Sequence, residues 1–447
     1  MQVIPQSIQR LLSRSELVVR PLPLRINFAW TLTGNVIYAF SQWGMMVALA
    51  KFGSPEMVGR FALGLAVTAP IMLFASLALR PVQATDVQKA YRFGDYLVLR
   101  LITTVIALLV ITGIVWAGNY GGETRWVILL IGLAKAFESV SDIYYGLFQQ
   151  TERMDRVAAS MILKGPLSLL ALTVAVYVTR RVWAAAGALA VAWAAVLALY
   201  DIPNGIAMLR RLSGSHEPGI SCHWPSILNL ARLSFPLGLT MMLISLNTNI
   251  PRYFVERFRG ERELGFFAAV AYLITAGSMV VNALGQSASP RLAKYYASEN
   301  REGFSYLLFR LIGIGLALGV TGILISLFAG REILTLLYRK EYAEFNNVLI
   351  WVMAAATLGY MASFLGYAMT AAHYFAIQPV IFGAVALANS LFCMALVPRH
   401  GALGAAWALG LANLVQFLAS LVCVIVALYR LPHRKSSSEV VLYELER

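Results

Sequence analysis

The stretch Ser245–Phe267, SLNTNIPRYFVERFRGERELGFF, decides how this chain is read. It begins inside an apolar segment, carries Pro251 and Arg252 toward that segment's end, and leaves through a short basic hairpin into the next apolar run. On a helix Ser245, Asn249, Arg252 and Glu256 fall three or four residues apart, which makes one polar stripe on an apolar rod. Arginine at membrane depth is costly and faces a wet cavity or a partner as a rule. Pro251 removes one backbone hydrogen bond there, which lipid tolerates only where neighbours or water replace it. Two readings of Arg252 follow. It snorkels to the outer headgroups, or it contacts an anion in a polar cavity.

The 447 residues are 59% hydrophobic and 13% charged, with mean hydropathy +0.70. No soluble fold of this length needs so much apolar surface, so the expected class is an all-α polytopic membrane protein. About twelve runs of roughly 20 apolar residues are each long enough to span a hydrocarbon core. They lie at 27–50, 57–79, 97–117, 126–148, 157–179, 182–202, 233–256, 264–286, 304–327, 347–371, 376–397 and 401–429. Short connections leave no room for a soluble catalytic domain, and no nucleophile–base constellation appears, so the expectation is a protein that is not an enzyme and needs no cofactor. The net charge of +14 sits mainly in the loops and does not point to nucleic acid. Roughly 21 lysines and arginines fall in or beside segments placed inside, against roughly 13 outside, which puts both termini in the cytoplasm. The basic first 26 residues lack a signal peptide's apolar core and suit an amphipathic helix on an anionic inner leaflet.

Polar residues inside the spans carry the functional reading. Asn27, Thr31, Asn35, Tyr38 and Gln42 line one face of the first span, for interhelical packing or for a hydroxylated substrate. Arg80 closes the second span, and the segment after it reads as a cytoplasmic loop. The fourth span holds Lys135, Glu138, Asp142, Tyr145 and Gln149 at helical spacing. Lys135 and Glu138 can pair along that helix, which leaves Asp142 over; Lys164, at similar depth in the fifth span, is its expected partner. Buried carboxylates beside lysines are what an ion-coupled carrier needs, because ion binding switches their charge. The run SASPRLAKYYASENREGF (Ser287–Phe304) reads as a basic cytoplasmic loop with Arg291, and GREILTLLYRKEYAEFNN (Gly330–Asn347) as an outer loop of helical apolar periodicity lying along the surface. His216, Cys222 and His223 in the central connection fit no zinc spacing, so no metal site is expected.

The chain also repeats itself. FGSPEMVGRFA (Phe52–Ala62) resembles FRGERELGFFA (Phe258–Ala268), and GALAVAW (Gly187–Trp193) resembles GALGAAW (Gly401–Trp407). Both offsets are close to half the chain. Six spans per half point both halves the same way through the bilayer, giving two parallel six-helix lobes. The expected organisation is a basic N-terminal segment (1–26), a lobe at 27–202, a cytoplasmic linker at 203–232, a second lobe at 233–429 and a cytoplasmic tail at 430–447.

Through NTNIPRYF (Asn247–Phe254), LGFFAAVAYL (Leu264–Leu273), ASPRLAKYY (Ala288–Tyr296) and the run Lys135–Arg156, nearly the whole chain resembles the Wzx-type oligosaccharide flippases of the MOP superfamily. That group also holds MATE drug exporters and lipid II flippases. The resemblance implies a V-shaped, MATE-like fold in a bacterial inner membrane. It implies movement of an undecaprenyl-pyrophosphate-linked oligosaccharide (an O-antigen, capsule or exopolysaccharide repeat unit) to the outer leaflet, driven by H+ or Na+. Besides membrane lipids, a polysaccharide polymerase complex is a further implied partner. Arg25, Arg80, Lys164, Arg252 and Arg291, with Asn35 and Asn249, are the candidates for the pyrophosphate and sugar; Glu138, Asp142 and Lys135 are those for ion coupling. Two other functions compete: a MATE-like exporter of organic cations, which would want an acidic cavity, and a non-transporting scaffold of a polysaccharide assembly complex, which needs no polar stripes.

Overall fold

A computed structural model describes residues 22–430 apart from 87, 89, 119 and 214–222. Most of the basic N-terminal segment, His216 and Cys222 of the central connection, and the tail from 431 lie outside the described residues. Every regular element is helical: α1 (Leu24–Phe52), α2 (Pro55–Ser76), α3 (Leu79–Thr85), α4 (Phe93–Ala117), α5 (Gly122–Gln150), α6 (Met154–Thr179), α7 (Val182–Val196), a π turn (Leu197–Asp201), α8 (Ile202–Ser213), α9 (Trp224–Tyr272), α10 (Ile274–Ala297), α11 (Arg301–Leu337), a 3-10 turn (Lys340–Phe345), α12 (Asn346–Ala371) and α13 (Gln378–Tyr429). Among the described residues, eight helical stretches are long and apolar enough to cross a bilayer. That number differs from the twelve expected spans for identifiable reasons. Helices α1 and α5 are not among the eight. The 74-residue stretch Trp224–Ala297 and the 52-residue α13 each run through a non-helical glycine.

Several expected loops are helix instead. Helix α10 runs on through Pro290 and Arg291 to Ala297, so the Ser287–Tyr296 stretch, expected as a loop, is the continuation of a helix. Helix α11 continues to Leu337 and takes in the first half of the Gly330–Asn347 segment, whose apolar residues have helical periodicity, as a direct extension of the span rather than a separate outer loop. The sixth span does not stop at Ile202; it passes through the π turn into α8, a strongly amphipathic helix ending in Arg210, Arg211 and Ser213. Polar residues in these places mark helix leaving the bilayer rather than loop. A helix that leaves the bilayer keeps its hydrogen bonds and changes only its side chains.

Contacts divide the chain into two compact units: residues up to Gly53 with Gly64–Met242, and Ser54–Leu63 with Leu243 onward. In the first, α5 is the hub and packs against α3, α4, α6, α7 and α8, while α1 lies along α6. Its two apolar clusters centre on Tyr96 and Ile143, and on Phe148 and Val157. In the second unit α12 is the hub, packed by α10, α11 and α13, with Phe364 and Leu365 fully buried. Large apolar side chains such as Leu199, Phe309 and Phe328 point outward, 80%, 73% and 83% exposed, as lipid-facing residues do.

Two features of the second unit show why its glycines are where they are. Helix α9 breaks at Gly260 (φ 84°, ψ 178°) and α13 at Gly401 (φ 57°, ψ −134°), conformations that side chains other than glycine's rarely adopt. Side chains beside the first break cap the second. Arg259 Nη2 donates to the carbonyls of Pro398 and Arg399, both at 3.1 Å, and Glu263 Oε1 accepts the amide of Ala402 at 2.6 Å. A cation thus meets a helix C-terminus and a carboxylate meets a helix N-terminus, each satisfying orphan backbone groups. The repeat-matched glycines, Gly59 and Gly265, also meet each other. A Cβ on Gly59 would lie 1.8 Å from the Glu261 carbonyl oxygen, and one on Gly265 would lie 1.9 Å from that of Pro55. Arg60–Glu261 (2.6 Å), Arg262–Glu56 (3.6 Å) and Arg262–Glu341 (3.3 Å) flank the crossing.

Gly59→Leu and Gly265→Leu are each expected to cost at least about 1–3 kcal/mol through overpacking, seen as lower melting temperature and lower monodisperse yield in detergent. Gly113→Ala, where no atom lies within 4 Å, is the control and leaves both unchanged. Wild-type stability in both leucine variants would refute the close crossing.

Candidate functional site

Helical periodicity places Lys135, Glu138, Asp142, Tyr145 and Gln149 on one face of α5, and the fold turns that face toward a cavity of about 330 Å³ in the first unit. Around it stand Tyr38 of α1, Arg80 of α3, Arg100 of α4 and Lys164 of α6. Glu138 takes Lys135 Nζ at 2.7 Å and the Tyr38 hydroxyl at 2.5 Å. Asp142 holds two arginines: Arg80 Nη1 at 3.3 Å on one oxygen and Arg100 Nη2 at 3.3 Å on the other. Arg80 also donates to Gln149 Oε1 at 3.1 Å, and its guanidinium lies over the Tyr145 ring. Arg100 is fully buried and donates to Ser139 Oγ at 3.3 Å.

Lys164 is where the sequence reading needs correction. Its expected meeting with Asp142 does not form. Lys164 Nζ instead donates to Ser141 Oγ (3.0 Å) and to the Tyr145 hydroxyl (3.1 Å), and it faces Asp201 Oδ2 at 3.8 Å. Asp142 is drawn away by the two arginines, which are nearer and bring charge-assisted hydrogen bonds. Four cations (Arg80, Arg100, Lys135, Lys164) therefore meet three carboxylates (Glu138, Asp142, Asp201), and the cluster keeps one positive charge in excess.

The second unit holds a cavity of about 410 Å³ lined by α9, α10, α12 and α13. Asn247, Thr248, Ser278, Tyr360, Asn389, Asn413 and Gln416 make much of it polar, and Arg252 is the one charged side chain among the described lining residues. The stripe of α9 is closed by local bonds: Arg252 Nη1 donates to Asn249 Oδ1 (2.8 Å), and Asn249 Nδ2 donates to the Ser245 carbonyl (2.8 Å). Asn389 ties α13 to α9 by donating to the Asn247 carbonyl at 2.8 Å. Among the described residues no carboxylate stands within ion-pair distance of Arg252.

The structure brings together Arg80, Lys135, Glu138, Asp142 and Lys164 in one unit, and Asn249 with Arg252 in the other. Arg25, Asn35 and Arg291 are exposed and line neither cavity. Sequence reading missed Arg100, Asp201, Asn247 and Asn389. Arg100 was legible: α4 begins at Phe93, so a residue two turns further on lies well inside the helix. Asp201 was hidden by the Ile202–Pro203 pair after it, which looks like the end of a span.

Comparison with known proteins agrees with this architecture. The model of the polysaccharide biosynthesis protein family matches residues 24–296. The capsular polysaccharide biosynthesis protein CapF of Staphylococcus aureus is 28% identical over 400 residues, covering 88% of this chain and 97% of its own. Among solved structures, the lipid II flippase MurJ in an inward closed conformation superposes with TM-score 0.67 at 13% identity, covering 91% of this chain and 89% of its own. An inward-facing multidrug resistance MATE transporter of the MOP superfamily gives 0.66 at 13% identity, covering 90% and 99%. At these identities the likeness establishes the fold: a multi-pass, MATE-like helical membrane protein.

Asp142→Asn strips buried Arg100 of its carboxylate and is expected to cost about 3–5 kcal/mol, lowering the melting temperature in detergent. The double variant Asp142→Asn/Arg100→Met should recover most of that loss, since the uncompensated charge is then gone. A double variant as unstable as the single one would refute the pairing.

Proposed function

Because the chain belongs to the polysaccharide biosynthesis protein family, we propose that it is a flippase for an undecaprenyl-pyrophosphate-linked oligosaccharide, a repeat unit of O-antigen, capsule or exopolysaccharide. It works as a transporter rather than an enzyme, carrying its cargo from the cytoplasmic to the outer leaflet of a bacterial inner membrane, with both termini in the cytoplasm. Its lobes are 27–202 and 233–429, joined by the linker 203–232. The movement is driven by a proton or sodium gradient acting through the ionisable cluster on α5.

Arg252 carries this reading. A guanidinium kept in a polar cavity of an apolar helix bundle, with an asparagine oxygen as its neighbour and no carboxylate in reach among the described residues, is a charge waiting for an anion. A diphosphate suits it, since the planar fork binds two oxygens at once. Asparagine, serine and tyrosine groups around it suit sugar hydroxyls. The positive excess beside Lys164 and Arg80 supports the same reading from the first unit. CapF, a relative named for capsular polysaccharide biosynthesis, and MurJ, a structural neighbour named as a lipid II flippase, lend it further support. An exporter of organic cations would need the opposite sign at Arg252.

Arg252→Ala and Lys164→Ala are each expected to abolish surface polysaccharide and to accumulate lipid-linked repeat units, while expression and membrane insertion persist. Wild-type polymer in both variants would reject the cationic-cavity mechanism. Vesicle transport of the labelled repeat unit should collapse on addition of a protonophore or a sodium ionophore; transport indifferent to both would remove ion coupling from the proposal.

A further inference from the structure

Helix α13 turns back on itself at Gly401, which brings residues 377–384 beside residues 415–430 of its second arm. Between them lies a groove of about 730 Å³. Ile381 and Cys423, both buried in the apolar cluster of the second unit, make its floor. Val380, Leu418, Val422 and Val426 stand exposed along its sides. An apolar surface is what any lipid-facing helix presents. This one is hollowed, and it changes character at one end.

At that end Tyr374 and Arg430 join the lining, and Arg430 is the one charged side chain among the described lining residues. Tyr296 of α10 hydrogen-bonds Tyr374 and lies in the field of Arg430. Arg301 of α11 donates to the Tyr429 carbonyl at 3.2 Å, which fixes the helix end that carries Arg430. Among the described residues no carboxylate stands within ion-pair distance of Arg430. From Val415 to Arg430 the second arm rises roughly 22 Å, at about 1.5 Å per residue. One leaflet with its headgroups is about 20–22 Å deep. A wall that is apolar over one leaflet and cationic at its edge matches a single lipid laid along it, with an anionic head and a hydrocarbon chain.

We propose that this groove binds one anionic glycerophospholipid, its phosphate on Arg430 and one acyl chain between the two arms of α13. The guanidinium can give a phosphate two N–H donors at once. A zwitterionic head would bring its own ammonium beside Arg430, so the site prefers a head whose only charge is negative. The groove is separate from the cavity around Arg252, and the proposal does not rest on the flippase reading. The two share no lining residue: Phe382, Asn389 and Asn413 face the polar cavity, while Val380, Ile381 and Leu418 face the groove. Arg430 lies roughly 43 Å along its arm from Gly401, whereas Arg252 lies roughly 12 Å along α9 from Gly260. Those two breaks meet through Arg259, so the guanidiniums serve different depths. A long polyprenyl chain would overrun a groove one leaflet deep, and a fatty acyl chain fits it.

The test uses the full-length protein, stripped of lipid in detergent and titrated by native mass spectrometry with phosphatidylglycerol, phosphatidylcholine or undecaprenyl phosphate. Wild type should take up one phosphatidylglycerol in preference to phosphatidylcholine. Arg430→Gln should weaken phosphatidylglycerol binding about fivefold and leave phosphatidylcholine unchanged. Ala419→Trp, which fills the groove, should weaken both. A second measurement needs no variant. Phosphatidylglycerol with a photoreactive acyl chain should label wild-type peptides holding residues 374–384 and 415–430 above those around the lipid-facing Phe309 and Phe328 of α11. Absence of headgroup preference in wild type, wild-type binding by Arg430→Gln, or even labelling of all outward faces would overturn the site. Undecaprenyl phosphate bound more tightly than phosphatidylglycerol, and lost in the same variants, would overturn the assignment to a glycerophospholipid.

Discussion

Charge taken into a helix bundle in lipid must be matched, and the arrangement of the first unit follows from that demand. Helix α5 alone carries Lys135, Glu138 and Asp142, and only its first pair is satisfied within the helix. The remaining carboxylate holds α3 and α4 through Arg80 and Arg100, while Lys164 and Asp201 join α6 to the turn after α7. Five elements thus converge on one stripe. Apolar packing alone would give little orientation here, since lipid tails are as apolar as leucine and no hydrophobic force drives helices together. Paired charges and hydrogen bonds such as Trp193 Nε1 to Ser168 Oγ at 2.7 Å set the register instead.

The second unit answers the same demand differently. Its helix ends at the Gly401 break are matched by Arg259 and Glu263, which flank the Gly260 break and satisfy backbone groups there. Its cavity is not matched in this way. Asn247, Asn249 and Asn389 saturate backbone and local side-chain groups with neutral amides, and Arg252 is left with an amide oxygen in place of a counter-charge. One unit therefore holds a nearly neutralised cluster of paired charges, and the other a positive charge met by an amide. Gln378, which follows Lys164 by the same interval that separates Gly187 from Gly401 in the repeat, bonds Thr370 rather than an acid.

What the sequence by itself determined was the class of molecule and the faces of its helices. Length and apolar content required a bundle of membrane spans, and three- and four-residue spacing put Lys135 with Glu138 and Asn249 with Arg252, because those contacts are made within one helix and obey its period. Helix ends were less legible, as α10 and α11 show: polar residues accompany a helix leaving the bilayer as readily as they begin a loop. Partner choice across helices was decided only by tertiary structure. Asp142 went to Arg80 and Arg100, and Lys164 went to Asp201, because these pairings depend on which helices lie side by side and at what depth, and no local period records that. The π turn that brings Asp201 toward Lys164 is likewise a product of packing, since one residue too many in a helical turn leaves no mark in the pattern of side chains.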